Sequence, residues 1–386
     1  MDKRNNYDSN LSRKEFIRLL GLTGFGVGIG GISSCLDNSR EIRFWASGTM
    51  DIGGKWKQLE KDLGIKVSFT DNGNDTGPII ASLVNGNAAY DFDIGGIQGG
   101  VEKELALANK IVPWNLDKIP NWGKTWEWIK KIPYCQIDGK QYGLPVVVNA
   151  DSIIYLPDKI GGTVSSYDVI FDPRFKGRTA MEDAWINSVI FTAIYLKENS
   201  LVPIEVPGDL TESELGEVME FMIKKKKEGQ FKAFWRGWED GVRLIKSGEV
   251  WAMTGWEPIV YEARKGGLKA EYAIPHEGYE GWSNDLVIIK GAEERSLIEK
   301  VHAFANWELD GFYGCELAQQ RGYIVPNDSS IRYALETRAY DAVEQKNKLD
   351  HVRNKFLNNK GRVYWQNTRP KHFKLYEEWW SKLRNA

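Results

Sequence analysis

Histidine is scarce in this chain, with four residues among 386, and cysteine is scarcer, with three. His276, His302, His351 and His372 are scattered without metal-ligand spacing, so the pattern implies no metal centre. No G-x-x-x-x-G-K-[ST], H-E-x-x-H, G-x-S-x-G or C-x-x-C occurs. Their absence removes the phosphate-binding loop, the zinc protease helix, the hydrolase nucleophile elbow and the thiol redox pair. No cofactor motif is left. Charge of one sign is also lacking: 51 Lys and Arg stand against 53 Asp and Glu, for a formal charge of −2. Without a basic surplus there is nothing to attract a phosphate backbone, so no nucleic-acid partner is expected. No internal repeat or low-complexity stretch stands out.

What the chain has in abundance is aromatic, with 16 Trp and 16 Tyr. Most must pack a core, and a minority is free to line a cleft. Hydrophobic residues make up 42% and charged residues 27%, an ordinary globular mix. A chain of this length exceeds one hydrophobic core, so two lobes are expected.

The N-terminus reads as an export address. Ser12-Arg13-Lys14-Glu15-Phe16-Ile17 precedes an apolar, glycine-rich run from about Leu19 to Ile32, and Ile32-Ser33-Ser34-Cys35 follows. A basic stretch, a short apolar run and small residues are the parts of a signal. The run is shorter than the roughly 20 apolar residues a membrane span needs. Ile32-Ser33-Ser34-Cys35 resembles the lipobox of bacterial lipoproteins, which implies acylation of Cys35 and a lipid anchor in the membrane. The segment around Arg13 resembles the twin-arginine export motif, with Lys14 in place of the second arginine. Gly26-Val27-Gly28-Ile29-Gly30-Gly31 matches G-x-G-x-x-G but follows no strand, so it is no dinucleotide site. Cys135 and Cys315 then remain, as two buried thiols or as a disulfide.

Strands alternate with helices beyond the linker at 36–40. Glu41 to Trp45 reads as a strand, Gly54 to Gly64 as a helix, Ile65 to Phe69 as a strand, Pro78 to Asn85 as a helix and Tyr90 to Ile94 as a strand. This order argues an α/β lobe. Leu144 to Val148, Ser152 to Tyr155 and Asp285 to Ile289 are β-rich runs suited to crossing between lobes. Thr211-Glu212-Ser213-Glu214 has capping-box spacing, and Lys224 to Lys227 would form the solvated end of that helix. Leu297, Ile298, Val301 and Phe304 mark another amphipathic helix.

From Glu41 onward the chain resembles the polyamine (spermidine/putrescine) solute-binding proteins of ABC importers. Several patterns carry the resemblance in order: Gly64-Ile65-Lys66-Val67, Tyr90-Asp91-Phe92, and Phe171-Asp172-Pro173-Arg174-Phe175-Lys176-Gly177. Gly248-Glu249-Val250 then runs through Met253 and Trp256 to Ala263-Arg264-Lys265-Gly266-Gly267. Gly322-Tyr323-Ile324-Val325-Pro326-Asn327, Trp365-Gln366-Asn367 and Tyr376-Glu377-Glu378-Trp379-Trp380 complete the set.

The resemblance implies an α/β, two-lobed periplasmic-binding-protein fold of type II, with mixed sheets flanked by helices and a ligand cleft between the lobes. It implies a first lobe of 41–148 with 285–327 and a second of 149–284 with 328–386, after a signal at 1–35. It also implies site residues. Trp256 and Trp282 fall on tryptophans that pack on the ligand's methylene chain, and Gln366 on a ligand-contacting glutamine. Asp183 falls near a carboxylate that binds an amino group, and Ser47 where the cleft loops begin.

Departures accompany these matches. The family's W-x-D reads Trp282-Ser283-Asn284, an amide where the carboxylate should stand. Asp285 is adjacent, but strand alternation turns it to the other face. A further family glutamate falls on Ile186 or Asn187. The implied function is a lipid-anchored extracytoplasmic receptor for a small amine-bearing cation, handing it to an ABC permease rather than catalysing a reaction. A neutral or anionic solute on the same fold, with Asn284 and Gln98 as donors, is one alternative. A secreted glycoside-type hydrolase is another.

Overall fold

The computed structural model describes residues 41–73, 76–357 and 362–386. The export segment, the linker and Cys35 lie outside them. Among the described residues eleven strands build the main sheet, and the nine longest are β1 (Glu41–Ala46), β2 (Lys66–Asp71), β3 (Ile94–Gln98), β4 (Leu144–Tyr155), β5 (Thr179–Glu182), β6 (Phe231–Trp235), β7 (Ala252–Gly255), β8 (Tyr279–Ile289) and β9 (Val363–Trp365). Their order is β2-β1-β3-β8-β4-β7-β5-β6, with β9 alongside β8. β1 pairs parallel with β2 and β3, and β5 pairs parallel with β6 and β7. The antiparallel strands are β8 and β4, which lie between these two halves.

The central strands are long and wholly buried because β-branched and apolar residues fill both faces. The two runs expected at Leu144 to Val148 and Ser152 to Tyr155 are one strand, with Asn149 and Asp151 embedded in it. Gly96 in β3 permits close approach: a Cβ there would lie 2.4 Å from Met50 Sδ and 2.5 Å from Ala46 Cβ. The strand expected at Tyr90 to Ile94 begins only at Ile94, because Ala88–Asp91 is a helical turn. Asp93 holds that junction, its carboxylate taking Arg43 at 3.0 Å and Arg295 at 2.7 Å.

Helices cover the sheet. The principal ones are α1 (Lys57–Leu63), α2 (Thr76–Val84), α3 (Trp185–Glu198), α4 (Glu212–Lys227), α5 (Gly237–Ser247), α6 (Glu257–Lys265), α7 (Ile298–Glu308), α8 (Phe312–Gln320), α9 (Ala342–Leu357) and α10 (Phe373–Asn385). The expected capping box starts α4: Thr211 accepts from Glu214 N–H and the Glu214 carboxylate accepts in return. At its far end two of the four lysines are not merely solvated. Lys225 donates to Phe171 O and Lys226 to Leu383 O, each at 2.8 Å.

One half has a core around Phe44, Trp56 and Phe304, whose rings lie 5.2 to 5.8 Å apart. The other is built on Phe191, Met181, Met219 and Trp380. A third cluster of Trp126, Val148, Ala150, Tyr279 and Phe356 packs on the central strands. Residues 329–357 make contacts in two directions: Arg332 reaches Asp310 at 3.0 Å and Lys348 donates to Ala318 O at 2.8 Å, while Lys355 bonds to Glu257 of α6 and to Asn149 and Ala150 of β4. Further along the tail, α10 packs against α4. Among the described residues no helix is long and apolar enough to cross a membrane.

Candidate functional site

Period-two geometry puts Glu280, Trp282 and Asn284 on one face of β8. The antiparallel register sets Glu280 opposite Asp151 and Trp282 opposite Asn149 of β4. Beside them opens a cavity of about 730 Å³, lined by Trp282, Trp256, Asp151, Glu182, Asn284 and Gln366 among others. Trp282 is fixed at both ends, its indole N–H donating to Asp151 at 2.8 Å and its ring edge-on to Tyr323. Trp256 precedes α6 in extended conformation, half-buried, and stands edge-on to the buried Trp235. The two tryptophans thus present rigid faces to the cavity.

Three carboxylates meet at this end. Asp151 and Glu280 are buried, and Glu182 closes β5 beside them. Opposed like charges on paired strands repel at short range. Burial pushes Asp151 up to about 7; burial, with a smaller repulsion from Asp151, pushes Glu182 up to about 8, and burial with repulsion from Asp151 and Glu182 holds Glu280 well above the usual carboxylate range. Among the described residues none of the three is hydrogen-bonded to a lysine or arginine. Asp151 takes Trp282 and Tyr272, Glu182 takes Asn187, and Glu280 takes Gln366 at 2.8 Å. One oxygen of Glu280 is buried without a partner. The nearest ammonium, Lys355 of α9, lowers Asp151 but is bonded to Glu257 at 2.6 Å, Asn149 and Ala150.

Gln366 links this end to the other. Its amide N–H groups go to Glu280 and Asn187, and its oxygen accepts from Gln98 of β3. At the far end Asn284 donates to Thr49 Oγ1 at 2.6 Å, and Thr49 donates to Ser47 at 2.9 Å.

Five of the six residues singled out from the sequence therefore line one cavity: Trp256, Trp282, Asp183, Gln366 and Asn284. Ser47 stands behind it, buried, supporting Thr49. Asp183 is at the rim and fully engaged. Arg236 reaches it at 2.5 Å, Arg384 at 2.8 Å and the Trp380 indole at 3.2 Å. Glu182, one residue earlier, is the acid turned toward the carboxylate cluster. Asn187, one of the two positions named for the family glutamate, donates to Glu182.

Sequence reading missed Asp151, Glu182 and Glu280. The available signal was an acid inside a run of strand-forming residues, since a buried strand rarely carries one without a role. Which acids face one another depends on register, and register was not legible. Asp285 points away from the cavity as alternation requires, accepting from Cys135 Sγ at 3.3 Å near the buried Glu102. Cys315 bonds instead to Ser330 O, so the two thiols are separate and free.

A model of the bacterial extracellular solute-binding protein family matches residues 56–341. The chain belongs to that family. It is a family of transport receptors, not of enzymes, whose members bind small solutes and deliver them to the permease of an ABC importer.

Solved structures agree on the fold of this solute-binding protein. The spermidine/putrescine ABC transporter substrate-binding protein PotD of Streptococcus pneumoniae, in complex with calcium and HEPES, superposes with a TM-score of 0.70 at 13% identity, covering 90% of this chain and 99% of that one. The Tp0655 (TpPotD) lipoprotein of Treponema pallidum gives 0.69 at 17%, covering 90% and 100%. MotA of A. tumefaciens B6, in complex with glucopine, gives 0.63 at 18%, covering 89% and 99%. The two-lobed periplasmic-binding-protein fold expected from the sequence is thus the observed one.

The carboxylate cluster sets a pH dependence whose sign is fixed. Asp151 and Glu182 hold their protons to about 7 and 8 in the folded chain, whereas unfolded carboxyls release theirs near pH 4. The folded state therefore binds more protons in between, and stability from this cluster is full below pH 4 and lost as pH rises through 8. Lys355, Glu257 and Asp183 also face the cluster. Glu257, held down to about 2 by Lys355 and His351 against its burial, runs the other way but acts below this window. The ligand-free protein should unfold at a lower temperature at pH 8 than at pH 6, measured by calorimetry. An Asp151→Asn/Glu182→Gln variant should show a flatter slope, and an unchanged slope would contradict the assignment.

Proposed function

We propose that this solute-binding protein is the lipid-anchored extracytoplasmic receptor of an ABC importer and captures a small amine-bearing cation for its permease. The observation that supports this most is the meeting of Asp151, Glu182 and Glu280, with no bonded lysine or arginine among the described residues, beside two rigid indole faces. An ammonium entering there meets carboxylates to which no lysine or arginine is bonded among the described residues. Trp256 and Trp282 attract it through their ring faces, by about 0.5–2 kcal/mol each. Gln366 and the carboxylates fix it by charge-assisted hydrogen bonds. A buried charge is tolerated only when paired, and the solute supplies the missing partner.

The lobes would be the two halves of the sheet, hinged on β4 and β8. Arg236, Arg369 and Arg384 at the rim could favour an anionic solute, but all three are already bonded to Asp183 or Glu104. The anchor would be the acylated Cys35 and would hold the receptor at the membrane.

Titration calorimetry with putrescine, spermidine, choline and betaine should find binding at micromolar concentrations for at least one. Glu182→Gln should weaken it by about tenfold or more and Asp183→Asn by less than about threefold, since only the former carboxylate faces the solute. No binding at millimolar concentration of any of them would refute the cationic reading. The anchor is tested separately: cells given labelled palmitate should label the protein, and Cys35→Ser should lose both the label and membrane retention. Retention of label by that variant would remove the lipoprotein assignment.

A further inference from the structure

The cavity is electrically lopsided, and the imbalance bears on which amine it accepts. At one end stand Asp151 and Glu182, with Glu280 buried behind them. At the other stand Thr49, Gln98 and Asn284, all neutral. Asn284 is buried, its amide N–H donates to Thr49 Oγ1 at 2.6 Å, and Thr49 in turn donates to Ser47. The chain of donors runs away from the cavity and leaves Asn284 Oδ1 buried with no partner. An orphaned acceptor lining a cavity calls for a hydrogen-bond donor from whatever fills it.

That donor is uncharged, because among the described residues lining this end none is a carboxylate. Asp71 is exposed and caps Gly73 N–H at 2.9 Å. Asp285 faces the opposite side of β8, against Cys135 and Glu102. The rim carries both signs, away from Asn284: Arg236 and Arg384 share Asp183, Arg369 lies on Glu104, and Glu377 is exposed on α10. A second ammonium beside Asn284 would be desolvated without a counter-ion, which is costly.

We infer that the solute is asymmetric, a monocation with one ammonium end for Asp151 and Glu182 and a neutral hydrogen-bond-donating end, such as an amide N–H or hydroxyl, for Asn284. The inference rests on the cationic reading above and narrows it. It separates this receptor from one built for a diamine, in which both ends need an anion.

Calorimetry with four probes built on one four-carbon chain tests it: putrescine, N-acetylputrescine, 4-aminobutanol and 4-aminobutanoate. N-acetylputrescine or 4-aminobutanol should bind about tenfold or more tighter than putrescine, because putrescine's second ammonium would be buried beside Asn284 without a counter-ion. Asn284→Asp should reverse that order, gaining putrescine affinity while the neutral-ended probes weaken. The reversal is a gain of binding, so misfolding cannot mimic it. Putrescine bound as tightly as the neutral-ended probes would overturn the asymmetry while leaving the cationic reading intact. Tightest binding of 4-aminobutanoate would overturn it in favour of a zwitterion held by the rim arginines. If none of the four binds and the wider amine panel also fails, the cationic reading itself is at fault.

Discussion

Two acids facing each other across the central strands are the constraint on which the site depends. Glu280 and Asp151 are paired residues of β8 and β4, both buried, with Glu182 added at the end of β5. Opposed carboxylates destabilise a sheet, and burial without a counter-ion makes the arrangement worse. The chain answers by holding protons there, pushing Asp151 to about 7 and Glu182 to about 8. Such a cluster is poorly suited to packing and well suited to receiving a cation. The strands that bear it are also those joining the two halves of the sheet, so whatever occupies the cluster acts at the junction.

The hydrogen-bond chain through Gln366 carries this further. Gln98 belongs to the first half, Asn187 and Glu182 to the second, and Gln366 bonds to both sides from the segment after β9. Gln366 thereby ties the two halves of the sheet together at the cavity. The Lys355–Glu257 pair lies on the same junction. Glu257 follows Trp256 directly, and Lys355 also holds Asn149 and Ala150 of β4. This buried pair thereby fixes the start of α6, and with it the indole that faces the cavity.

Much of the fold was legible in local pattern. The capping box at Thr211, the strands at Glu41 and Lys66 and the helix from Ile298 follow from spacing and side-chain type alone. The failure at Tyr90 came from a long-range force: Arg43 and Arg295 close on Asp93 and delay the strand to Ile94. Trp256, Trp282, Gln366 and Asn284 were found because motifs mark them. Asp151, Glu182 and Glu280 were not, since each is an unremarkable acid in sequence and becomes a cluster only through strand register. The departures at Asn284 and Asn187 suggested a site depleted of anions. Folding restores the anions at one end from other positions, and it leaves the amide at Asn284 in place.

The central claim is that solute binding replaces protons on these carboxylates with the solute's own positive charge. Titration of the tightest-binding amine at pH 7, in buffers of different ionisation enthalpy, reads that exchange directly. A net release of protons, abolished in Asp151→Asn/Glu182→Gln, is the predicted result. Binding without release, or with proton uptake, would contradict it.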